Sequence, residues 1–93
     1  MNTTSLVKLA KSLSDPNRLH LLQGIAQSSQ QVGCAQLFEL VPISQPSMSQ
    51  HVKALVESGL VESRKEGRCV YLVINPIKLQ ELESFLQGLK PHS

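Results

Sequence analysis

The chain has 93 residues, a formal net charge of +2 and a pI near 8.7, which suit one small domain. Apolar residues make up 41% and aromatic residues only 3%, so the core must be built from aliphatic side chains. No stretch approaches the roughly eighteen apolar residues of a bilayer span, and the N-terminus lacks a signal-peptide pattern. We therefore expect a single cytoplasmic domain over residues 1–93, with no membrane partner.

Two helices are predicted in the first third of the chain. The first, over about 4–13, is indicated by apolar residues at helical spacing, namely Leu6, Leu9, Ala10 and Leu13. The second begins sharply, because Asp15 can cap it and Pro16 suits its first turn, where no backbone N–H is needed. Its buried face is expected to consist of Leu19, Leu22, Ile25 and Ala26.

Two further helices follow, joined by the tight link VPIS. A short third helix is predicted over about 34–40, and Pro42 ends it. Ser44 is a good N-cap for the fourth helix, and Gly59 is its expected left-handed end. The apolar stripe of the fourth helix consists of Met48, Val52, Leu55 and Val56.

The last third changes its hydrophobic period. Two β-rich runs, about 60–65 and 68–74, flank a turn at Glu66-Gly67, which predicts a hairpin. Pro76 opens a last helix whose apolar stripe is Leu79, Leu82, Phe85, Leu86 and Leu89. The expected fold is mainly α with a β-hairpin, a winged helix-turn-helix of order α-α-α-α-β-β-α. The leucine stripes of the first and last helices predict that it is dimeric.

The stretch ISQPSMSQ is unusually polar for the start of a well-marked helix. Opposite its apolar stripe, the fourth helix carries Ser47, Gln50, Lys53 and Ala54, with His51 at the edge. Amides and hydroxyls can contact base edges, and helices of this kind do so with their N-terminal residues. Phosphate contacts are expected from Ser44, Gln45, Ser47 and Ser49. At the hairpin tip, positive charge that could reach backbone phosphates or the minor groove is expected from Arg64, Lys65 and Arg68. Alternatively, the Ser-Gln stretch is only an N-cap and the basic hairpin tip is only solvated. The two features together with the helix-turn-helix order favour double-stranded DNA as the partner.

The strings SDPNRLHLL and ISQPSMSQHVKALVESGLVESRKEGRCVYLVI, followed by the leucine-striped helix, resemble the ArsR/SmtB family of bacterial winged-helix repressors over roughly residues 5–89. The resemblance implies a homodimer that binds an inverted repeat in a promoter, blocks transcription and is released by an inducer. It places Arg68 at the position of the wing arginine. At positions of the recognition helix it places Gln45, Ser47, Ser49, Gln50 and His51.

The chain departs from the metal sites of that family. Arsenic and cadmium members carry a C-x-C box at the start of the third helix, whereas Gly33 and Ala35 stand there in this chain, with Cys34 between them. A single thiolate is a poor site for a soft metal. The ligand pattern of the zinc members is replaced on the last helix by Gln80, Glu81, Glu83 and the terminal His92. We expect neither a metal nor another cofactor, and the alternative is a metal- or thiol-responsive sensor with a non-standard site.

The two cysteines, Cys34 and Cys69, have two interpretations. They are either small packing residues or candidate redox residues that respond to an unidentified inducer. Cys34 is favoured for the second role because a helix N-terminus stabilises a thiolate. Two alternatives to a DNA-binding regulator are a winged-helix protein-interaction module and an enzyme. The sequence contains no phosphate-binding loop and no recognisable nucleophile–base arrangement, so we expect no enzymatic activity.

Overall fold

The structure is a computed structural model that describes residues 2–28 and 32–91. Its elements follow the predicted order, apart from one additional short strand before the third helix. The helices are α1 Thr3–Ser12, α2 Pro16–Gln27, α3 Cys34–Leu40, α4 Gln45–Ser58 and α5 Pro76–Gly88. The strands are β1 Val32–Gly33, β2 Val61–Glu66 and β3 Cys69–Ile74. This order confirms the predicted winged helix-turn-helix.

Three helices begin with the same device, a polar N-cap and a proline in the first turn. The Asp15 side chain accepts hydrogen bonds from the next backbone N–H groups of α2, at 2.8 and 3.3 Å. Ser44 accepts from the backbone N–H of Ser47, and Asn75 caps α5 in the same way. These bonds satisfy donors that a helix N-terminus otherwise leaves unpaired. The predicted starts of α2 and α4 are thereby confirmed.

The sheet has three antiparallel strands in the order β1-β3-β2. β2 and β3 form the predicted hairpin, with a two-residue loop at Gly67 and Arg68. Gly67 has a φ of +60°, which suits the tight turns of β-hairpins. The sequence did not predict β1, because a strand of only two residues, Val32 and Gly33, is too short to show an alternating hydrophobic pattern. The expected order therefore gains one short edge strand.

Aliphatic side chains from α2, α3, α4 and the sheet form the core, which includes Leu21, Ile25, Leu37, Met48, Leu55, Val61 and Leu72. The predicted inner face of α2 was partly wrong. Leu21 is fully buried, whereas Leu19 and Ala26 are exposed and Leu22 is half-buried. Apolar residues surround much of α2, so periodicity alone did not reveal which stripe packs against α3, α4 and β3.

The two terminal helices differ in how the chain covers them. α1 packs against α4, and Leu9 is buried, so this residue of the predicted dimer stripe belongs to the protomer's own core. Nothing in α5 is buried. Its exposed apolar side chains include Ile77, Leu79, Phe85, Leu86 and, at the C-cap, Leu89. No helix in residues 2–28 and 32–91 is long and apolar enough to cross a membrane.

Candidate DNA-binding surface

α4 is fixed in the molecule by one apolar stripe along its length. Met48 and Leu55 are buried, and Val52 and Val56 pack against the same core. The helix ends at Gly59, whose φ of +86° is the left-handed conformation that glycine adopts with little strain. Because both ends and the inner face are fixed, the outward side chains of α4 are held on a rigid support.

The outward face of α4 is polar, and it is concentrated in the first half of the helix. Its exposed members are Gln45, Ser49, Gln50 and Lys53. The Ser44 and Ser47 hydroxyls are 3.1 Å apart and hydrogen-bonded at the helix N-terminus. This surface offers two amides, several hydroxyls and one cation, with no acidic residue in the first turn of the helix. Such groups can donate to phosphates and both donate to and accept from base edges.

A second line on α4 is less open than the helical wheel indicates. Ser47, His51 and Ala54 are half-buried, and Ser58 in the same line is buried. α1 packs against α4, and the segment between α1 and α2 reaches His51. The freely exposed face is therefore rotated from the predicted one and centred on Gln45, Ser49, Gln50 and Lys53.

His51 lies beside the cap of α2, a contact that the sequence did not indicate. Its Nδ1 is 4.0 Å from Oδ1 of Asp15, and the imidazole side chain is only 17% exposed. Within the described residues, neither His51 Nδ1 nor Arg18 Nε has a hydrogen-bond partner. A cap three dozen residues away leaves no periodic signal in the sequence, so only the fold brings the two groups together.

Asp15 is held in its charged form. Partial burial acts to raise the pKa of its carboxyl, but two hydrogen bonds from the backbone N–H groups of Arg18 and Asn17 oppose this effect. The charges of His51 and Arg18 act in the same direction as those bonds, and the net pKa lies below the ordinary value. Asp15 therefore presents a carboxylate to His51 across most of the pH range.

The hairpin distributes its basic residues over different faces. Side chains alternate along a strand, so Arg64 and Lys65 lie on opposite faces of the sheet. Arg64 lies on the outer face, where its Nη2 is 3.6 Å from the Glu62 carboxylate. Lys65 lies on the face that β2 turns toward α4, and Arg68 is exposed in the turn itself. The three cations are thus near the tip but do not form one cluster.

The two cysteines are described unequally. Cys69 is a free, exposed thiol on the outer sheet face, while Val70 is the residue that faces the body of the protein. A hydrogen bond with Cys69 is the main cause that raises the pKa of the Tyr71 phenol. The side chain of Cys34 lies outside the described part of the structure, although the residue is the first of α3. The redox hypothesis therefore stays a prediction.

The residues that replace the family's metal ligands are also dispersed. Glu81 pairs with Lys78 at 3.2 Å, and Gln80 and Glu83 are exposed on α5. His92 lies outside the described residues. In residues 2–28 and 32–91, no three His, Cys, Asp or Glu side chains come together as a group that could hold a metal ion. The expectation of a metal-free regulator stays a prediction.

Comparison with known proteins decides the family. A helix-turn-helix domain model, HTH_20, matches residues 13–64. The arsenical resistance operon repressor of Staphylococcus aureus is 33% identical over 82 residues, which cover 88% of this chain and 77% of that protein. This chain belongs to the ArsR family of helix-turn-helix transcriptional regulators. As an ArsR-family member it is a DNA-binding regulator of transcription, and the predicted resemblance is confirmed.

Other transcriptional regulators and solved folds are also similar to this chain. The regulator YceK of Bacillus subtilis is 31% identical over 83 residues, 88% of this chain and 83% of that protein. An ArsR-like regulator from Rhodococcus superposes with a TM-score of 0.81 at 26% identity, over 92% of this chain and 79% of that one. A homodimeric winged helix-turn-helix domain from Mycobacterium bovis shares the fold at 24% identity, with a TM-score of 0.73, over 92% of this chain and 78% of that one.

Proposed function

We propose that this ArsR-family chain is a homodimeric repressor that binds an inverted-repeat operator in a promoter and is released by a signal. The observation that carries the proposal is the exposed polar face in the first half of α4, held on a rigid core. A helix presented in this way fits the major groove, where its N-terminal residues meet the bases. The same regulator would act in the cytoplasm, where DNA is accessible, and not as an enzyme.

The contacts of α4 divide into two classes. The amide of Gln50 suits base edges, because an amide can donate to and accept from one base at the same time. Gln45 is the first residue of α4 and suits a phosphate oxygen, as the sequence predicted. The helix N-terminus and its hydroxyls suit phosphate oxygens, as does the cation of Lys53. These hydroxyls belong to Ser44, Ser47 and Ser49. His51, half-buried beside Asp15, is proposed to contact the DNA backbone while that carboxylate fixes its ring.

The hairpin extends the contact surface along the backbone of the DNA. Arg68 is exposed in the turn and needs no rearrangement to reach a phosphate. The side chain of Lys65 lies on the face of the sheet that is turned toward α4. It can therefore approach a phosphate of the DNA strand next to α4. Arg64 must exchange its Glu62 partner for a phosphate, which makes its contribution the smallest of the three.

The dimer is proposed to form through the terminal helices of a single domain spanning residues 1–93. α5 carries exposed apolar side chains that its own protomer leaves uncovered. A second copy would bury them by two-fold symmetry and place the two α4 helices about 34 Å apart, one turn of DNA. The inducer is proposed to act on this geometry or on the surface itself, and the thiols of Cys34 and Cys69 stay candidates for an oxidant.

Selection of bound sequences from a random double-stranded DNA library tests the proposed function. Two similar half-sites in inverted orientation should be enriched, with centres about 10 base pairs apart. Gln50→Glu should abolish the enrichment, because it places a carboxylate against the DNA. The matched variant Gln87→Glu makes the same change at an exposed position of α5 and should not. If the selected sequences show no enrichment over the starting library, the result would support a protein-interaction module instead.

A further inference from the structure

A cavity of about 550 Å³ lies between α3, α4 and the sheet, beside the proposed DNA-binding face. Its walls are mainly apolar and include Leu37 and Phe38 of α3, Val52 and Val56 of α4, and Leu72 of β3. The volume lies within the range of small-molecule sites, which are mostly apolar with a few polar groups. None of the DNA contacts proposed above requires such an apolar cavity.

The polar groups on the cavity identify the chemical class of its occupant. Lys53 lines it and makes no salt bridge or hydrogen bond to another side chain in the described residues. Ser49 and Ser63 lie on opposite walls, one on α4 and one on β2. Glu57 stands one helical turn beyond Lys53 and would repel an anion at that end. The anionic group of a ligand is therefore directed toward Lys53 and the first half of α4.

From these features we infer that the cavity between α3, α4 and the sheet binds a small organic acid, with its apolar body between the helices and the sheet and its carboxylate at Lys53. The inference deepens the proposed function and rests on it, because the occupant would be an inducer. Gln45, Ser49 and Lys53 line the cavity and also belong to the proposed DNA surface. Acid and DNA would then compete for the same side chains.

Competition of this kind needs no long-range conformational change. A carboxylate at Lys53 neutralises a cation that would otherwise contact phosphate, and it adds a negative charge beside the DNA backbone. Each ligand excludes the other from a shared surface, so binding of the acid lowers DNA affinity and DNA lowers the affinity for the acid by the same factor. The inducer would act directly on the recognition helix and not through the dimer interface.

Octanoate is a suitable probe, because its chain is apolar and its only charge is the carboxylate. Two-dimensional ¹H–¹⁵N NMR of the full chain, recorded without DNA, should show shifts at α4, α3 and β3 residues around the cavity. Octan-1-ol should bind more weakly by about two- to fivefold, the worth of one exposed ion pair. Octylammonium should bind still more weakly. Equal affinity for the three probes, or shifts confined to α5, would overturn the inference.

Ser63→Phe fills the cavity from an exposed strand position, so the variant should fold normally. It should reduce octanoate affinity at least tenfold. The matched variant Glu62→Phe adds the same ring to the neighbouring residue, whose side chain lies on the opposite sheet face, and should retain the affinity. If both variants bind octanoate as the wild type does, the cavity is not the site.

A DNA competition assay then separates the two proposals. Octanoate should displace operator DNA from the wild type, whereas Ser63→Phe should bind DNA within about twofold of the wild type and resist displacement. A chain that binds DNA but is not displaced would refute the acid as inducer while leaving the proposed function intact. A chain that binds octanoate in the cavity but selects no DNA would refute the proposed function.

Discussion

At the scale of single residues, α4 and the hairpin offer two kinds of DNA contact that substitution can distinguish. Gln50 is an exposed amide on the recognition surface, and Arg68 is an exposed cation in the hairpin turn. An amide that contacts a base edge adds affinity only for the correct base. A cation that contacts a phosphate adds affinity for every sequence and releases counterions.

Gln50→Ala should reduce the preference for operator over random DNA by about 1–3 kcal/mol per half-site. Arg68→Ala should weaken binding to both DNAs alike and reduce the salt slope by about 1. Fluorescence anisotropy titrations over a range of salt concentrations measure both quantities, with Gln87→Ala as the control on α5. The assignment of roles is wrong if the two variants lose affinity for operator and random DNA in the same proportion.

The Asp15 carboxylate should make folding stability depend on pH in the acidic range. Its pKa is lower in the folded chain than its ordinary value, so the unfolded chain binds more protons. The stabilisation is therefore present above about pH 4 and is lost as the pH falls through the folded value. Thermal unfolding of wild type and Asp15→Asn, which keeps a capping oxygen, should show a smaller acid-range dependence in the variant. Parallel curves would contradict this account.

At the scale of elements, the end of α4 depends on one glycine. Gly59 has a φ of +86°, and an added Cβ would lie 2.7 Å from Cε of Lys78. Gly59→Ala should destabilise the chain by about 1–2 kcal/mol through backbone strain. Gly88→Ala is the matched control, because nothing lies within 4 Å of its added Cβ and it is helical. Urea unfolding measures both, and equal loss in the two variants would refute the explanation.

Helix termini were predictable from the sequence, but the faces that pack were less so. Asp15, Ser44 and Gly59 act through neighbours within a few residues, so their roles are legible in the sequence. The choice between Leu19 and Leu21 as the inner residue of α2 depends on which helices and strands surround it. The same holds for His51, whose partner Asp15 is brought close only by the fold.

The sequence predicted the local features of the candidate site but not those that depend on the fold. The polar composition of α4 is a local property, and the structure leaves Gln45, Ser49, Gln50 and Lys53 exposed as one face. The separation of Arg64 from Lys65 follows from strand register, which fixes two opposite faces once the hairpin turn is known. The cavity beside α4 gave no signal in the sequence, since its walls come from four elements, α3, α4, β2 and β3, that only the fold brings together.

At the scale of the whole molecule, α5 extends from a small protomer whose principal extents are 50 × 24 × 22 Å. Leu86 and Leu89 are 53% and 64% exposed, so the protomer itself does not cover these two leucines. Several exposed apolar side chains on one helix are typical of an interaction surface. The partner proposed above for this surface is a second copy of the same chain.

Leu86→Glu should convert the dimer to a monomer, because a carboxylate in an apolar interface would lose its hydration without a partner. Light scattering at micromolar concentration should give twice the 10.2 kDa chain mass for wild type and the single mass for the variant. Gln87→Glu adds the same charge on the polar side of α5, near Gln80 and Glu83, and should remain dimeric. Operator affinity should fall sharply in Leu86→Glu alone, since two half-sites are no longer bound by one linked unit. A monomeric wild type, or a Leu86→Glu dimer, would mean that α5 does not form the interface.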